Sequence, residues 1–193
     1  MRQQLNIDSP VHGFLWREEQ RTDGAALSAS SFRDLKIEGE LAVRLIDTTG
    51  APDDWVVDYM PVVELHHGVF DGKVDERAAE LVARNAIHAG VVAASNSSRC
   101  RLGAVPLEVP MTVTVNGVVR ESPVLRDLQI GSLRGPLATT SWLIEQLQAE
   151  ERNERLEPGQ LLLTATPGSL IPIAAGSSVR VAFDQLSVSC TVV

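Results

Sequence analysis

The sequence contains 193 residues, of which 44% are hydrophobic and 22% are charged. This length and composition are typical of one soluble globular domain, so we expect a single domain over residues 1–193. The formal net charge is −8, from 25 acidic and 17 basic residues. This balance disfavours a nucleic-acid-binding protein, which needs a basic surface to neutralise phosphates. Aromatic residues make up only 4% of the chain, which also disfavours stacking on single-stranded bases.

The sequence shows no pattern typical of export or membrane insertion. Residues 1–12 have no apolar core segment, so they do not predict a secretory signal peptide. The longest nearly apolar stretch, residues 86–94, is interrupted by a histidine and a glycine and is too short to span a bilayer. The two cysteines, Cys100 and Cys190, are too few for a disulfide scaffold. We therefore expect a cytoplasmic protein that binds neither membrane nor nucleic acid.

Alternation of apolar and polar residues predicts the first long strand. In residues 35–45 (LKIEGELAVRL) the apolar side chains alternate with Lys36, Glu38, Glu40 and Arg44. This period of two is typical of a half-buried strand, with its polar side chains on the exposed face.

Further strands are predicted along the rest of the chain. Residues 55–65 predict a strand that is interrupted at Pro61, because proline cannot donate to a β-ladder. Residues 111–121 predict a hairpin around Asn116-Gly117. Three more strands are predicted over residues 160–166, 178–183 and 186–193.

Two helical segments are predicted between the strands. Asp75 is suited to cap a helix that runs through Asn85 and ends near Gly90. A second helix is predicted after Gly135-Pro136, because proline suits the first helical turn. Together these elements predict an α+β, mainly β fold, in which a rolled or barrel-like mixed sheet carries a few peripheral helices.

The first candidate for chemistry is the pair of glutamates in Glu38-Gly39-Glu40. Residues i and i+2 of a strand lie on one face, so both carboxylates can converge on one point. Hard divalent cations such as Mg²⁺ take oxygen ligands, commonly a few carboxylates with water and substrate. The alternative is an exposed polar strand face that needs no function, and this segment by itself favours that alternative.

A third carboxylate, Glu64, follows an apolar strand segment and precedes His66 and His67. Glu64 is a candidate third metal ligand, and His66, at i+2, is a candidate fourth ligand or base. The alternative is an acidic residue at a strand end, with both histidines hydrogen-bonded in a loop. His12 and His88 stand alone in the sequence, and we expect structural or surface roles for both.

The order of several motifs resembles one enzyme family. MRQQLNIDSPVHGFLW resembles a family segment D-x-P-x-x-G, with Asp8, Pro10 and Gly13 in the matching positions. FRDLKIEGELAVRL resembles the family's metal-binding strand, and VVELHHGVF the strand bearing a third metal glutamate. RNAIHAGVVAAS resembles the segment that comes next, with Asn85 at the family's asparagine position. Three more segments follow in the family's order: VNGVVRES, GPLATTSWL and the C-terminal segment from residue 161. The family is that of the 2-keto-4-pentenoate hydratases and 4-oxalocrotonate decarboxylases, in the fumarylacetoacetate hydrolase superfamily.

The resemblance implies a cofactor, a ligand set and a reaction. It implies Mg²⁺ or Mn²⁺ at an open site of a β-rich roll, held by Glu38, Glu40 and Glu64. The family's hydratases add water to 2-hydroxy-2,4-dienoates, and related members decarboxylate 4-oxalocrotonate. The resemblance therefore predicts metal-dependent hydration or decarboxylation of a small dienoate or 2-oxo acid.

Further residues are predicted to act on that substrate. Asp8 and His67 are predicted to move protons, and His67 stands where the family commonly has an aspartate after its third glutamate. Lys36 lies two residues before the first glutamate of the strand, shares its face, and is a further candidate for proton transfer. Thr164 and Thr166 are predicted to hydrogen-bond the substrate carboxylate.

The chain also departs from the family, which leaves other functions open. The family has an additional N-terminal region whose lysine faces the substrate, and this sequence begins after it. We therefore expect little hydratase activity from the chain alone, and assembly into a homo-oligomer or a hetero-oligomer with a related chain. The alternatives are a non-catalytic partner subunit that keeps the fold, and a superfamily hydrolase or lyase that acts on a β-dicarbonyl compound.

Overall fold

The structure, a computed structural model, describes residues 10–70, 77–149 and 155–193. These residues are mainly β, as predicted, with two α-helices, α1 (Arg77–Ala83) and α2 (Gly135–Ala149). The strands are β1 (Gln20–Thr22), β2 (Ala25–Leu27), β3 (Leu35–Asp47), β4 (Val56–His67), β5 (His88–Ala93), β6 (Ser98–Arg101), β7 (Met111–Val115), β8 (Val118–Glu121), β9 (Gln129–Ile130), β10 (Leu133–Arg134), β11 (Leu161–Leu163), β12 (Ile171–Pro172), β13 (Ser178–Phe183) and β14 (Leu186–Val192). Neither helix is long and apolar enough to cross a membrane.

The strands form two larger sheets and a separate pair. The first sheet has the order β1-β5-β4-β3-β11, with β6 also paired to β4 and β12 also paired to β3. The second has the order β2-β14-β13-β7-β8, and β9 pairs with β10. Pairing is mixed, because β1–β5 and β2–β14 are parallel while the central pairs are antiparallel. The mixed-sheet prediction is confirmed, and the described strands form open sheets rather than a closed barrel.

The hydrophobic core lies between the two sheets. Tyr59 of β4 meets Phe183 of β13 edge to face, with 6.0 Å between the ring centroids. A Cβ atom at Gly39 of β3 would collide with the side chain of Val113 of β7. Glycine at position 39 therefore lets β3 approach the second sheet closely.

Strand β3 is buried on both faces over its central part, which corrects the half-buried prediction. Glu38 and Glu40 are only 0% and 1% exposed. The alternative of a solvated polar face is therefore wrong for these two side chains. Charged groups are almost never buried so fully unless they are paired or bind a metal, so this burial needs a chemical explanation.

Strand β4 continues through Pro61, so the predicted interruption is wrong. Pro61 pairs with Leu41 of β3, whose carbonyl accepts a bond from Thr164 on the other side of β3. Leu41 and Pro61 are thus a non-hydrogen-bonded pair, and β3 does not need a donor from residue 61. On its other side β4 changes neighbours at this point, from β6 to β5, and Pro61 accepts a bond from Ala94.

Helix α1 ends at Ala83, earlier than predicted, and Asp75 lies outside the described residues. The backbone then turns left-handed, with φ values of 51°, 59° and 58° at Asn85, Ala86 and Ile87. Three successive non-glycine residues in this region are energetically costly and cannot continue a right-handed helix. After this turn the chain enters β5 directly, at His88.

Candidate metal centre

The register of β3 and β4 brings the predicted metal ligands together. Glu38 lies directly opposite Glu64, and Lys36 lies opposite His66. Since side chains alternate along a strand, these four residues and Glu40 share one face of the sheet. The predicted common face for Lys36 and the two glutamates of β3 is therefore confirmed.

Glu38, Glu64 and His66 form the centre of this cluster. Each offers one ligand atom, and the three atoms lie within 4.8 Å of one another. The Nε2 atom of His66 is 3.3 Å from Glu38 Oε2 and 3.4 Å from Glu64 Oε2. Within the part of the chain that the structure describes, both carboxylate oxygens of Glu38 and both ring nitrogens of His66 are buried without a hydrogen bond. Buried polar atoms normally have partners, so this donor set fits a divalent cation.

Glu40 adjoins the cluster through Glu64. The side chains of these two glutamates are hydrogen-bonded, and the backbone of Ala165 also bonds Glu40. Burial, together with the charges of Glu64 and Glu38, raises the pKa of Glu40 well above its usual value. Without a cation, Glu40 is therefore a neutral acid that donates to Glu64, and it can become a ligand when it loses that proton.

His88 joins the cluster, although the sequence showed it as an isolated histidine. Its Nδ1 atom is 2.8 Å from Glu64 Oε1, and its Nε2 atom is 3.8 Å from Glu19 Oε2. His88 is the first residue of β5, and β5 pairs with β4. The left-handed turn before β5 thus places His88 beside Glu64, which lies 24 residues earlier in the sequence.

The charged groups of the cluster shift one another's pKa values. Burial by itself would lower the pKa of His66, but the charges of Glu64 and Glu38 raise it to about 10. Burial would raise the pKa of Glu64, but His66, His88 and the Glu40 hydroxyl lower it well below its usual value. In the absence of a metal ion, the site therefore holds an imidazolium beside an ionised Glu64.

Comparison with solved structures shows that the chain has a known fold. The chain matches no protein-family model and no curated protein. Among solved structures it is similar to 4-oxalocrotonate decarboxylase from Pseudomonas putida G7, in complexes with magnesium and adipate and with calcium and acetate. The respective TM-scores are 0.79 and 0.78, at 23% identity over 100% of this chain and 73% of that chain. The chain has the fold of that enzyme.

Two further solved structures are similar at lower scores. The 2-hydroxyhepta-2,4-diene-1,7-dioate isomerase from Mycobacterium marinum has a TM-score of 0.64 and 19% identity, over 96% of this chain and 69% of that one. The fumarylpyruvate hydrolase from Pseudomonas aeruginosa, complexed with Mn²⁺ and pyruvate, has a TM-score of 0.62 and 17% identity, over 90% and 73%. These likenesses agree with the predicted mainly β fold.

Lys36 lies at one end of the cluster, and His67 lies away from it. The Nζ atom of Lys36 is 3.4 Å from Asp34 Oδ2 and 3.4 Å from the carbonyl of Gly68. His67 follows His66 and points to the other side of the sheet, where its Nδ1 atom accepts a hydrogen bond from the backbone N–H of Arg33. Burial and the charge of Arg33 lower the pKa of His67. It lines a cavity of about 330 Å³ together with Arg33, Val69, Arg84 and Ile87.

Thr164 and Thr166 flank β3 rather than point freely into a cavity. Their hydroxyl groups donate to the carbonyls of Leu41 and Gly39 at 2.6 and 2.7 Å. They therefore hold the segment around Ala165 beside Glu40. Asp8, a predicted proton-transfer residue, lies outside the described residues.

Proposed function

We propose that this chain is a divalent-metal-dependent enzyme that hydrates or decarboxylates a small 2-hydroxy-dienoate or 2-oxo acid. The observation that carries the proposal is the buried cluster on β3 and β4, in which both carboxylate oxygens of Glu38 lack a hydrogen bond within the described residues. Its fold is that of 4-oxalocrotonate decarboxylase, a protein complexed with magnesium and adipate, and of a hydrolase complexed with Mn²⁺ and pyruvate. The proposal includes a cytoplasmic location and an oligomeric state.

In this proposal Glu38, Glu40 and Glu64 hold Mg²⁺ or Mn²⁺. When bound, the ion supplies a Lewis acid that favours the enolate form of a 2-oxo acid. The chain supplies negative charge from two adjacent strands, whose antiparallel register is continuous from Leu35 to Leu45 and so fixes the site. His88 holds Glu64 by its Oε1 atom, so this carboxylate is oriented before any ligand arrives.

Proton transfer in this proposal belongs chiefly to Lys36. Its side chain shares the face of the carboxylates and is 26% exposed, so it can exchange protons with solvent at one end of the site. Proton transfer by His67 and by Asp8 stays a prediction, although the His67 side chain lines a different cavity. Thr164 and Thr166 already donate their hydroxyl protons to backbone carbonyls, so contact between them and a substrate carboxylate also stays a prediction.

A non-catalytic partner subunit is the second candidate function. The observation that favours it is the position of His66, whose Nε2 atom contacts both Glu38 and Glu64. A protonated imidazole there neutralises the carboxylates without any metal ion. The chain would then keep the fold and support a related subunit.

The test combines metal analysis with activity. Purified chain is stripped with a chelator, reloaded with Mg²⁺ or Mn²⁺, and assayed by ultraviolet absorbance for loss of 2-hydroxypenta-2,4-dienoate or 4-oxalocrotonate. We expect about one ion per chain, little loss of the dienoate with the chain alone, and metal-dependent turnover of one of these acids when a related full-length chain is present. Glu38→Gln should weaken metal binding severely, because it replaces an anionic ligand by a neutral one. Glu145→Gln, on an exposed part of α2, is the matched control.

Two results would contradict the proposal. A chain that binds neither ion at millimolar concentration has no metal centre. A chain that binds an ion but turns over neither acid, alone or with a related full-length chain, is not an enzyme of this class.

A further inference from the structure

His66 differs from the other members of the cluster because it offers nitrogen rather than oxygen. It is 2% exposed, and neither of its ring nitrogens has a hydrogen bond within the described residues. Its Nε2 atom nevertheless lies 3.3 and 3.4 Å from oxygens of Glu38 and Glu64. Charge-assisted hydrogen bonds between ionised nitrogen and oxygen are shorter, at about 2.7–2.9 Å, so both contacts are longer than a bond of that kind.

The same distances suit three ligands of a single ion. Two ligand atoms at about 2.1 Å from an ion, separated by about 90–110°, are roughly 3.0–3.4 Å apart. The contacts from Nε2 to Glu38 and to Glu64 both fall at this spacing. Glu38 and Glu64 occupy facing positions of two paired strands, and His66 lies two residues after Glu64 on β4, so the register fixes all three backbone positions.

We propose that His66 is a nitrogen ligand of the metal centre, and that it makes the centre prefer Mn²⁺ over Mg²⁺. This inference rests on the proposed function, because it requires that the cluster binds a divalent ion. Mg²⁺ strongly prefers oxygen ligands and keeps several water molecules. First-row transition ions accept imidazole readily, and their affinity for mixed nitrogen and oxygen sites rises from Mn²⁺ onward along the series.

The site without His66 would be a set of carboxylates, which suits Mg²⁺, Ca²⁺ and Mn²⁺ alike. One nitrogen ligand breaks that equivalence, since it lowers the affinity of the site for Mg²⁺ relative to Mn²⁺. His66 is therefore a specificity-determining residue for the metal, distinct from His88, which contacts a carboxylate through Nδ1 at 2.8 Å.

The experiment measures metal binding directly. Chelator-treated chain is titrated with Mn²⁺, free Mn²⁺ is measured by electron paramagnetic resonance, and Mg²⁺ is added as competitor. Pulsed resonance on the Mn²⁺-bound chain then detects hyperfine coupling to a directly bound nitrogen. Replacing natural histidine by ¹⁵N-histidine shows, in the unmutated protein, whether that nitrogen belongs to a histidine. The His66 and His88 variants below then assign it to one of the two histidines of the cluster.

We expect ¹⁴N coupling that changes to ¹⁵N coupling on labelling, and an affinity for Mn²⁺ about 100-fold or more above that for Mg²⁺. His66→Gln should abolish the coupling and reduce this ratio at least about 10-fold, because glutamine offers an oxygen instead. His88→Gln is the comparison variant. It should keep the coupling and weaken both ions by a similar factor of about 10, since it disturbs only the orientation of Glu64.

Other outcomes are distinguishable. Mn²⁺ bound without nitrogen coupling, or equal weakening of both ions in His66→Gln, would overturn this inference and leave the metal centre standing. A chain that binds neither ion contradicts the proposed function itself. Binding that occurs only in His66→Leu would show that His66 fills the site as an internal cation, which overturns the inference and favours the partner subunit.

Discussion

At the scale of single residues, Gly39 connects the chemistry of β3 to its packing. Glu38 and Glu40 point to one face of the strand, so residue 39 points to the other, toward β7 and β13. A Cβ atom there would collide with Val113 and lie 3.4 Å from Val181. The sequence Glu-Gly-Glu therefore places two carboxylates on one face and allows close sheet packing on the other.

Gly39→Ala should lower the free energy of unfolding by about 1–3 kcal/mol, because an added methyl group overpacks the core at Val113. Urea denaturation measures this change. The double variant Gly39→Ala/Val113→Ala frees space at the point of collision, so we expect less destabilisation than the sum of the two single changes. Strict additivity would show that the two residues are not in conflict.

The pair of Asp58 on β4 and Arg99 on β6 gives a pH-dependent contribution to stability. Arg99 donates two hydrogen bonds to Asp58, at 2.7 and 2.9 Å, and they lower the pKa of that carboxyl group. A carboxyl whose pKa is depressed on folding stabilises the native state above its unfolded pKa, near 3.9, and this stabilisation is lost as the pH falls through the folded pKa.

Arg99→Met should therefore lower the urea midpoint at pH 7, and the difference from the original chain should disappear as the pH falls through the lowered pKa of Asp58. The effect should also shrink in high salt, because Arg99 is exposed and its charge is screened. An unfolding difference that persists unchanged at low pH would show that Arg99 acts through packing instead.

Residue spacing predicted part of the candidate site. The period of two placed Lys36, Glu38 and Glu40 on one face, and the structure confirms it. The same pattern could not show that this face is buried, because Glu40 is contacted by the backbone of Ala165, far along the chain. Nor could it find His88, whose contact with Glu64 depends on the pairing of β4 with β5.

At the scale of elements, the left-handed turn after α1 is the least regular part of the framework around the site. Asn85 opens this turn and bonds the backbone of Phe14 twice, accepting from its N–H at 2.6 Å and donating to its carbonyl at 2.7 Å. A Cβ atom at Gly13 would lie 2.6 Å from Asn85 Oδ1, so glycine is needed beside it. The turn thus joins the N-terminal part of the described chain to the start of β5.

Asn85→Ala should lower the free energy of unfolding by about 2–3 kcal/mol. It removes two hydrogen bonds, and alanine tolerates a positive φ less well than asparagine. Hydrogen exchange at the Phe14 amide should become at least about 10-fold faster. Asn85→Asp keeps the acceptor and loses the donor, so its effect should be intermediate; an unchanged Phe14 amide in both variants would contradict this account.

Element boundaries were predictable where local chemistry decides them. The hairpin at Asn116-Gly117 is confirmed, with positive φ at both residues. The continuity of β4 through Pro61 could not be predicted in this way. It depends on a change of neighbouring strand at Pro61, which no local pattern reveals. The early end of α1 likewise reflects the bonds of Asn85 to a segment 71 residues away.

At the scale of the whole molecule, the carboxylate cluster is buried on the face of the first sheet that points away from the second sheet, while some apolar residues stay exposed. Phe14 and Trp16 are 44% and 58% exposed, and their rings stack with centroids 5.7 Å apart. Two adjacent exposed aromatic side chains are typical of an interaction surface rather than of a scattered surface residue. They precede β1, the edge strand of the first sheet.

We therefore predict that a second copy covers this aromatic pair and that the chain forms an oligomer. Light scattering should give a mass that is a multiple of 20.9 kDa. The double variant Phe14→Ser/Trp16→Ser should shift the mass toward a single chain, because it removes the largest apolar side chains of the surface. Val118→Ser, at an equally exposed valine of β8 on the second sheet, is the matched control and should leave the mass unchanged. A mass of 20.9 kDa for the unaltered chain would rule out self-association. Assembly with a related chain would then be the remaining form of the prediction. Mixing the two chains and repeating the light-scattering measurement tests it.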